Sequence, residues 1–404
     1  MKTPQTLALS SFVLLLSAGL AEGQVCSMRF DPAVSSPTGG AFANSVQDMT
    51  GDGRADLVAS DYFHDRVRVL QADEDGSLTP LSEIPVTLPL GSETADFDGN
   101  AILDLAAISD TGDHASALGI GGGLFAPPQN LPFGAMAGGI RSADFDRDGS
   151  ADLALSAGPG SIHIQLLMGD GAGGFTLGEE IVTGVSDFIP GIVAGELTGD
   201  SAPDIAAFFL SIPAIRVYPN LNGTGFGPAV TTNLGFSPAF GPAIDLDGDG
   251  DLDLVGTDRA GGSVRVLFSV NGSFVEAASL PAPDIQSAVA IADFDRDGHY
   301  DLAYETLGGE LRILRGLSPT LFEPSVSWPV PAGSSSVLAA DVDGNGWVDV
   351  VRQDYNLRDT VEVYLNRGCS VVEIPTLDRT GLATLVGLLA VAAFLLLRRP
   401  SHAL

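Results

Sequence analysis

The residues that could do chemistry in this chain are aspartates, and they recur in one decapeptide seven times. The copies are DMTGDGRADL from Asp48, DFDGNAILDL from Asp96, DFDRDGSADL from Asp144, ELTGDSAPDI from Glu196, DLDGDGDLDL from Asp245, DFDRDGHYDL from Asp293 and DVDGNGWVDV from Asp341. Oxygen-bearing side chains stand at positions one, three, five and nine. That spacing suits calcium, a hard cation that takes six to eight oxygen ligands at about 2.3 to 2.6 Å. Alternate side chains aim at one centre, the usual glycine at position six permits a sharp turn, and a backbone carbonyl near position seven adds a ligand. Aspartate nine caps the site as the next strand begins.

The expected ligands are Asp48, Thr50, Asp52 and Asp56; Asp96, Asp98, Asn100 and Asp104; Asp144, Asp146, Asp148 and Asp152; Glu196, Thr198, Asp200 and Asp204; Asp245, Asp247, Asp249 and Asp253; Asp293, Asp295, Asp297 and Asp301; and Asp341, Asp343, Asn345 and Asp349. The loops from Asp144, Asp245 and Asp293 keep every ligand and the glycine, and the Asp341 loop differs only by Asn345, so these four should bind best. The Asp96 loop lacks the glycine. Up to seven calcium ions are expected, with the Glu196 loop, which carries Thr198 and Ser201, the one expected to stay empty. With Asp251, these loops hold 25 of the 51 acidic residues. Unmetalled, the carboxylates repel one another at close range, so calcium should stabilise the fold by mass action. Acidic turns that serve only solubility are the alternative.

A net charge of −32 excludes ordinary nucleic-acid binding, because a phosphate backbone would be repelled. Fifty glycines and 25 prolines against 19 Lys plus Arg indicate many short strands joined by tight turns. A hydrophobic share of 45% is enough for a real core.

The elements that position the loops follow from the repeat interval, which is 48, 48, 52, 49, 48 and 48 residues. In the sixth unit SAVAIA precedes the loop, DLAYE follows it, LRILRG comes next and LFEPSVSWP ends the unit. Four short strands make one propeller blade. The third strand recurs as VRVL at Val67–Leu70 and Val264–Leu267, IRVY at Ile215–Tyr218 and VEVY at Val361–Tyr364, alternating as a half-buried strand does. The seventh unit runs out after this strand. RFDPAV at Arg29–Val34 resembles the fourth strands around Gly225 and Leu321, so the first strand of the mature chain should complete the last blade and remove two open sheet edges. The expected fold is an all-β, seven-bladed propeller over residues 24–370. Cys26 and Cys369, the only cysteines, flank that seam and should form a disulfide in an oxidising compartment, worth roughly 4 to 5 kcal/mol. Two unrelated thiols are the alternative.

Residues 1–23 read as a secretory signal: Lys2, an apolar run from Leu7 to Leu20, and small residues at Ala21 and Gly23. At the other end, residues 371–381 form a linker, the apolar segment Leu382–Leu397 is expected to be a transmembrane helix, and 398–404 form a basic tail. Arg398 and Arg399 would stay cytoplasmic, leaving the propeller outside and anchored at the envelope.

Two resemblances add to these readings. The decapeptides with their Gly-Phe turns resemble the FG-GAP and VCBS repeats of integrin α-subunit propellers and bacterial surface proteins, over residues 27 to about 369. The resemblance implies structural calcium loops on one face and partners on the opposite face. Ile374-Pro375-Thr376-Leu377, an apolar segment and a basic pair are similar to IPTL-CTERM sorting signals. That likeness implies a sorting protease of the exosortase type, with display or release at the cell surface; a plain anchor is the alternative.

The residues favour binding over catalysis. The five histidines, His64, His114, His163, His299 and His402, show no ligand spacing, and no nucleophile motif or phosphate loop is present. The expected role is a non-catalytic adhesion or ligand-binding scaffold for an extracellular protein or glycan. A glycan lyase or hydrolase, using paired carboxylates, and a passive matrix protein are the alternatives. The expected partner face, opposite the acidic loops, carries Tyr62, Phe63, Phe188, Phe208, Phe209, Phe236, Phe240 and Tyr355, because aromatics dominate recognition hot spots. Packing between blades is the other reading of these residues.

Overall fold

The computed structural model describes residues 25–372 apart from 158–162, 186–188, 210–211, 237–238, 286–287, 333–334 and 355–359. Within it the chain divides into two compact units, Met28–Gly368 and the terminal stretches Met1–Ser27 with Cys369–Leu404. The described residues of the second unit are strand.

Met28–Gly368 is a seven-bladed β-propeller. It holds seven four-stranded antiparallel sheets; in five of them the four strands are consecutive in the chain, and in blade two a small two-stranded sheet, Gly119–Gly121 with Leu124–Phe125, precedes the outer strand. Blade one shows the plan: inner strand Phe42–Gln47, second strand Asp56–Asp61, third strand Arg66–Ala72 and outer strand Leu78–Pro85. The second strand is buried along its whole length in blades one, two, five and six. Sequences such as LVAS, LAAIS and LVGT suit that place, since neighbouring blades cover both faces and small residues let the sheets approach. Apolar clusters then form between blades rather than within one. Leu57, Ala59 and Leu70 of blade one pack with Val351, Val361 and Val363 of blade seven, and Val58, Val67 and Val69 pack with Leu105 and Ala107 of blade two.

Blade seven is completed by an N-terminal strand, Val34–Pro37, which pairs with Thr360–Tyr364. The seam differs in detail from the sequence reading. The first strand, Val25–Phe30, forms a separate two-stranded sheet with Asn366–Val372. Only the second strand enters the blade, because the chain leaves strand geometry at Asp31–Ala33, where Pro32 cannot donate to a ladder. Cys26 and Cys369 therefore lie on paired strands.

One expectation is corrected. Among the described residues no helix is long and apolar enough to cross a membrane, and their only helical turn is the 3-10 turn Tyr62–His64. Among the described residues the fold is all-β, and the expected transmembrane helix is not supported; the segment Leu382–Leu397 lies outside them, as do the signal segment 1–23, the IPTL residues and the basic tail.

Between blades six and seven lies a buried ionic network. Arg352 and Glu305 are both fully buried. Arg352 Nε and Nη2 donate to the two Glu305 carboxylate oxygens at 2.9 and 3.1 Å, and Nη1 donates to Glu362 Oε2 at 2.8 Å. Tyr364 Oη donates to the same Glu362 oxygen at 3.0 Å.

Candidate metal loops and the face opposite

Each acidic decapeptide joins the inner strand of a blade to its second strand, so all seven loops lie on one face of the ring. Left-handed backbone shapes the turn at two places. Position six has φ between 85° and 99° in the five loops with glycine there, Gly53, Gly149, Gly250, Gly298 and Gly346, while Ala101 and Ser201 hold 65° and 66° against their Cβ. Position four is left-handed as well, including Arg147 and Arg296 at 63° and 57°.

The structure separates the ligand positions into two roles. Aspartate nine is a staple. Asp301 Oδ2 accepts the Phe294 amide at 2.8 Å and Oδ1 accepts the Gly316 amide at 2.7 Å. The same pair of bonds recurs at Asp56, Asp104, Asp152, Asp204, Asp253 and Asp349. Each therefore ties the loop's second residue to the end of the third strand. All seven are buried. Burial pushes the carboxyls of Asp152, Asp204 and Asp253 up to about 6 and those of Asp301 and Asp349 up to about 7, against the two amide bonds that favour the charged form. Position one instead curls the loop: Asp144 Oδ1 and Oδ2 accept the amides of Asp148 and Gly149, both at 3.0 Å. Position five accepts the amide two residues on, as from Ser150 to Asp148 at 2.7 Å.

Carboxylate oxygens come within 4.8 Å of one another in five loops: Asp96, Asp98 and Asp104; Asp144, Asp146 and Asp152; Asp245, Asp247 and Asp253; Asp293, Asp295 and Asp297; and Asp341, Asp343 and Asp349. These are the five with aspartate at position three. In the first loop Thr50 Oγ1 instead donates to Asp48 at 3.4 Å, and the Glu196 loop likewise has a threonine there. Asp251 of the next loop is buried near the Glu196 loop, and its carboxyl is raised by burial, by Asp249 and by Glu196.

Whether a cation fits is tested by what these oxygens already bind. Asp341 Oδ1 is buried without a hydrogen-bond partner, an arrangement whose cost a cation would remove. Three loops carry a guanidinium that sequence reasoning missed. Arg315 places Nε 2.6 Å from Asp295 Oδ2 and Nη2 2.7 Å from Asp297 Oδ2. Arg367 places Nη1 2.5 Å from Asp343 Oδ2, and Arg54 places Nη2 2.5 Å from Asp52 Oδ2. The residues fit calcium best in the Asp96, Asp144 and Asp245 loops, where no arginine sits on a ligand carboxylate among the described residues.

On the opposite face the expected aromatic set divides. Phe63 is 75% exposed and its ring meets Tyr62 edge-on at 5.4 Å, while Tyr62 Oη donates to Asp110 at 2.8 Å. Phe208, Phe209 and Phe236 are buried core residues, so they leave the contact set. Phe208 ends a second strand that both neighbouring blades cover; Arg216 and Arg265 lie over the Phe209 and Phe236 rings at 5.5 and 5.2 Å. Phe188, Tyr355 and the Phe240 side chain lie outside the described residues. His114 is satisfied inside the fold, with Nδ1 accepting the Ser109 amide at 2.9 Å and Nε2 2.7 Å from the Ala135 carbonyl.

A closed ring of seven blades, each with an acidic loop on the same face, defines a repeat propeller of the acidic-loop class. The chain carries FG-GAP-like repeats, matched at residues 48–107 and 245–304, and ends in an IPTL-CTERM motif, matched at residues 374–399. Together these features point to an exported surface propeller protein.

Solved structures similar in fold include BBS1N in complex with ARL6DN, at 15% identity and a TM-score of 0.60 over 86% of this chain and 100% of that one. A lectin of Agrocybe aegerita, described as specifically recognising non-reducing terminal N-acetylglucosamine, aligns at 16% identity and a TM-score of 0.55 over 76% of this chain and 87% of that one. Chaetomium thermophilum Raptor aligns at 12% identity and a TM-score of 0.55 over 87% of this chain and 30% of that one. At such identities the likeness is one of fold. No curated protein sequence matches the chain.

Proposed function

We propose that this protein is an exported calcium-binding propeller that serves as a non-catalytic scaffold for adhesion or ligand binding at the cell surface. The observation that carries the reading is the convergence of carboxylate oxygens within 4.8 Å in five loops on one face. Calcium supplies positive charge there, drawing together oxygens that otherwise repel. Asp96, Asp98, Asn100 and Asp104, and the corresponding residues of the Asp144 and Asp245 loops, would hold it most tightly. In the Asp293 and Asp341 loops the ion must first displace Arg315 or Arg367. The loops take 25 of the 51 acidic residues, a concentration that supports a scaffold over a glycan-cleaving enzyme.

Two further parts belong to the same reading. A disulfide between Cys26 and Cys369, on paired strands, would lock the seam in an oxidising compartment. A sorting protease of the exosortase type would act on the IPTL-CTERM tail.

Equilibrium dialysis with a metal count tests the calcium assignment. The protein is expected to hold three ions tightly and to gain a fourth tight site in an Arg315→Ala variant, through the freed Asp295 and Asp297. Seven equivalent sites, or no uptake, would contradict the arginine argument or the calcium assignment respectively.

A further inference from the structure

The innermost strands of blades one to four leave a cavity of about 460 Å³ on the propeller axis, lined by Phe42, Asn44, Leu90, Ser92, Arg141 and a set of glycines. The lining strand residues come from the first four positions of their inner strands, except Arg141, the fifth of seven in Ala137–Ala143, and Ile108 of a second strand. The cavity therefore opens on the face opposite the acidic loops. Its volume falls in the range of about 300 to 1,000 Å³ usual for small-molecule sites.

Three features of the wall point to one ligand chemistry. First, each inner strand is the terminal strand of its sheet, so one edge of its backbone faces the axis with amides and carbonyls outside the ladder. Gly91, Gly138, Gly139 and Gly191 put no side chain in front of them. Second, the polar side chains are held in place. Asn44 Nδ2 donates to Ser60 Oγ at 2.7 Å and to Ser92 Oγ at 2.8 Å, which commits both amide hydrogens and leaves its amide oxygen to accept. Arg141 Nη1 donates to the Ile140 carbonyl at 2.7 Å and lies 3.6 Å from Glu93 Oε2, with the side chain 47% exposed. Glu93 is itself fixed by Ser142 Oγ at 3.1 Å. Third, Phe42 and Leu90 add apolar surface beside these groups.

Closely spaced fixed donors and acceptors, a guanidinium balanced by a carboxylate, and an adjacent apolar surface suit a pyranose ring, which presents vicinal hydroxyls on its rim and C–H groups on its faces. We infer that the axial cavity is a saccharide-binding site that takes the end of a glycan through Asn44, Ser92 and Arg141. The inference rests on the scaffold reading above and gives that scaffold a ligand class.

The test uses the calcium-loaded protein and three probes: the methyl glycosides of glucose, N-acetylglucosamine and glucuronic acid, followed by saturation-transfer NMR and titration. At least one probe should bind saturably, and Arg141→Met should weaken it tenfold or more. Gly91→Leu should do the same by filling the cavity, because an added Cβ there meets only Ile108, at 3.7 Å. Parent-like binding in both folded variants would overturn the assignment, as would no saturable binding of any probe. A protein that takes up calcium but no sugar leaves the scaffold reading intact and removes this site; a protein that takes up no calcium removes the calcium reading instead.

Discussion

Replacing Arg352 with methionine is expected to cost the fold about 3 to 5 kcal/mol, the usual penalty for stripping one partner from a buried ion pair. Glu305 is wholly buried and accepts two hydrogen bonds from the guanidinium. Methionine would strip that buried carboxylate of both guanidinium hydrogen bonds. The double variant Arg352→Met with Glu305→Leu should recover part of the loss, because it removes the Glu305 charge while Glu362 loses the guanidinium and keeps the Tyr364 hydroxyl as a donor. Denaturant unfolding of parent, single and double variants measures both steps. A single variant within about 1 kcal/mol of the parent would show that water or neighbours satisfy Glu305. The network also joins strands of different blades at the ring closure, where Val34–Pro37 must find Thr360–Tyr364.

The second large effect belongs to aspartate nine. Asp301→Ala removes the acceptor of two buried backbone amides, from Phe294 and Gly316. Unsatisfied buried donors cost about 1 to 3 kcal/mol each, so a loss of about 3 to 5 kcal/mol is expected, with calcium present or chelated. A residue acting only as a metal ligand would show its loss in calcium alone. The pH dependence carries a sign that separates this group from an ordinary exposed carboxylate. Burial raises Asp301 from 3.8 to about 7 in the folded chain, so the folded state binds the proton more tightly than the unfolded one. In chelator, this contribution is fully present below the unfolded value and is lost as pH rises through about 7. The metal-free protein should therefore be more stable at pH 5 than at pH 8, and Asp301→Ala should flatten that slope.

Much of this architecture was legible because the chain repeats. Seven copies of one loop at intervals near 48 residues fix the number of blades, and alternation at Val67–Leu70 locates third strands. The loop's internal geometry was legible in part: glycine at position six announces the left-handed turn, but position four adopts it even as Arg147 and Arg296. What escaped was non-local. The Gly316 amide reaches Asp301 from 15 residues away, Arg315 reaches Asp297 from 18, and Arg352 meets Glu305 across 47. No pattern within a strand encodes such meetings. Phe208, Phe209 and Phe236 were misplaced because a connection between strands reads as exposed, whereas here the neighbouring blade covers its ends. Pro32 could have warned that RFDPAV would not run as one strand into blade seven.

The arginines refine the ranking of the loops. By ligand identity alone, the Asp293 and Asp341 loops belong with the best calcium sites. In the fold both already hold a guanidinium against two or one of their carboxylates, which offsets part of the loop's negative charge without a metal and would raise the concentration of calcium needed to occupy it. The Asp96 loop, modest by sequence because Asn100 and Ala101 replace the usual aspartate and glycine, gains rank by having no such competitor among the described residues. Calcium dependence would then be graded around the ring.

Scanning calorimetry of the protein in excess calcium and in chelator tests the central claim most directly. A ligand at 100 times its dissociation constant stabilises by about 2.7 kcal/mol per site, so three tight sites give roughly 8 kcal/mol, a rise in melting temperature on the order of 10 °C or more. The account predicts that rise, reversed by chelation and unmatched by an equal concentration of magnesium, whose smaller ion demands stricter octahedral geometry. Superimposable melting curves in calcium and chelator would contradict it and leave the acidic loops as turns held together by their own amide bonds.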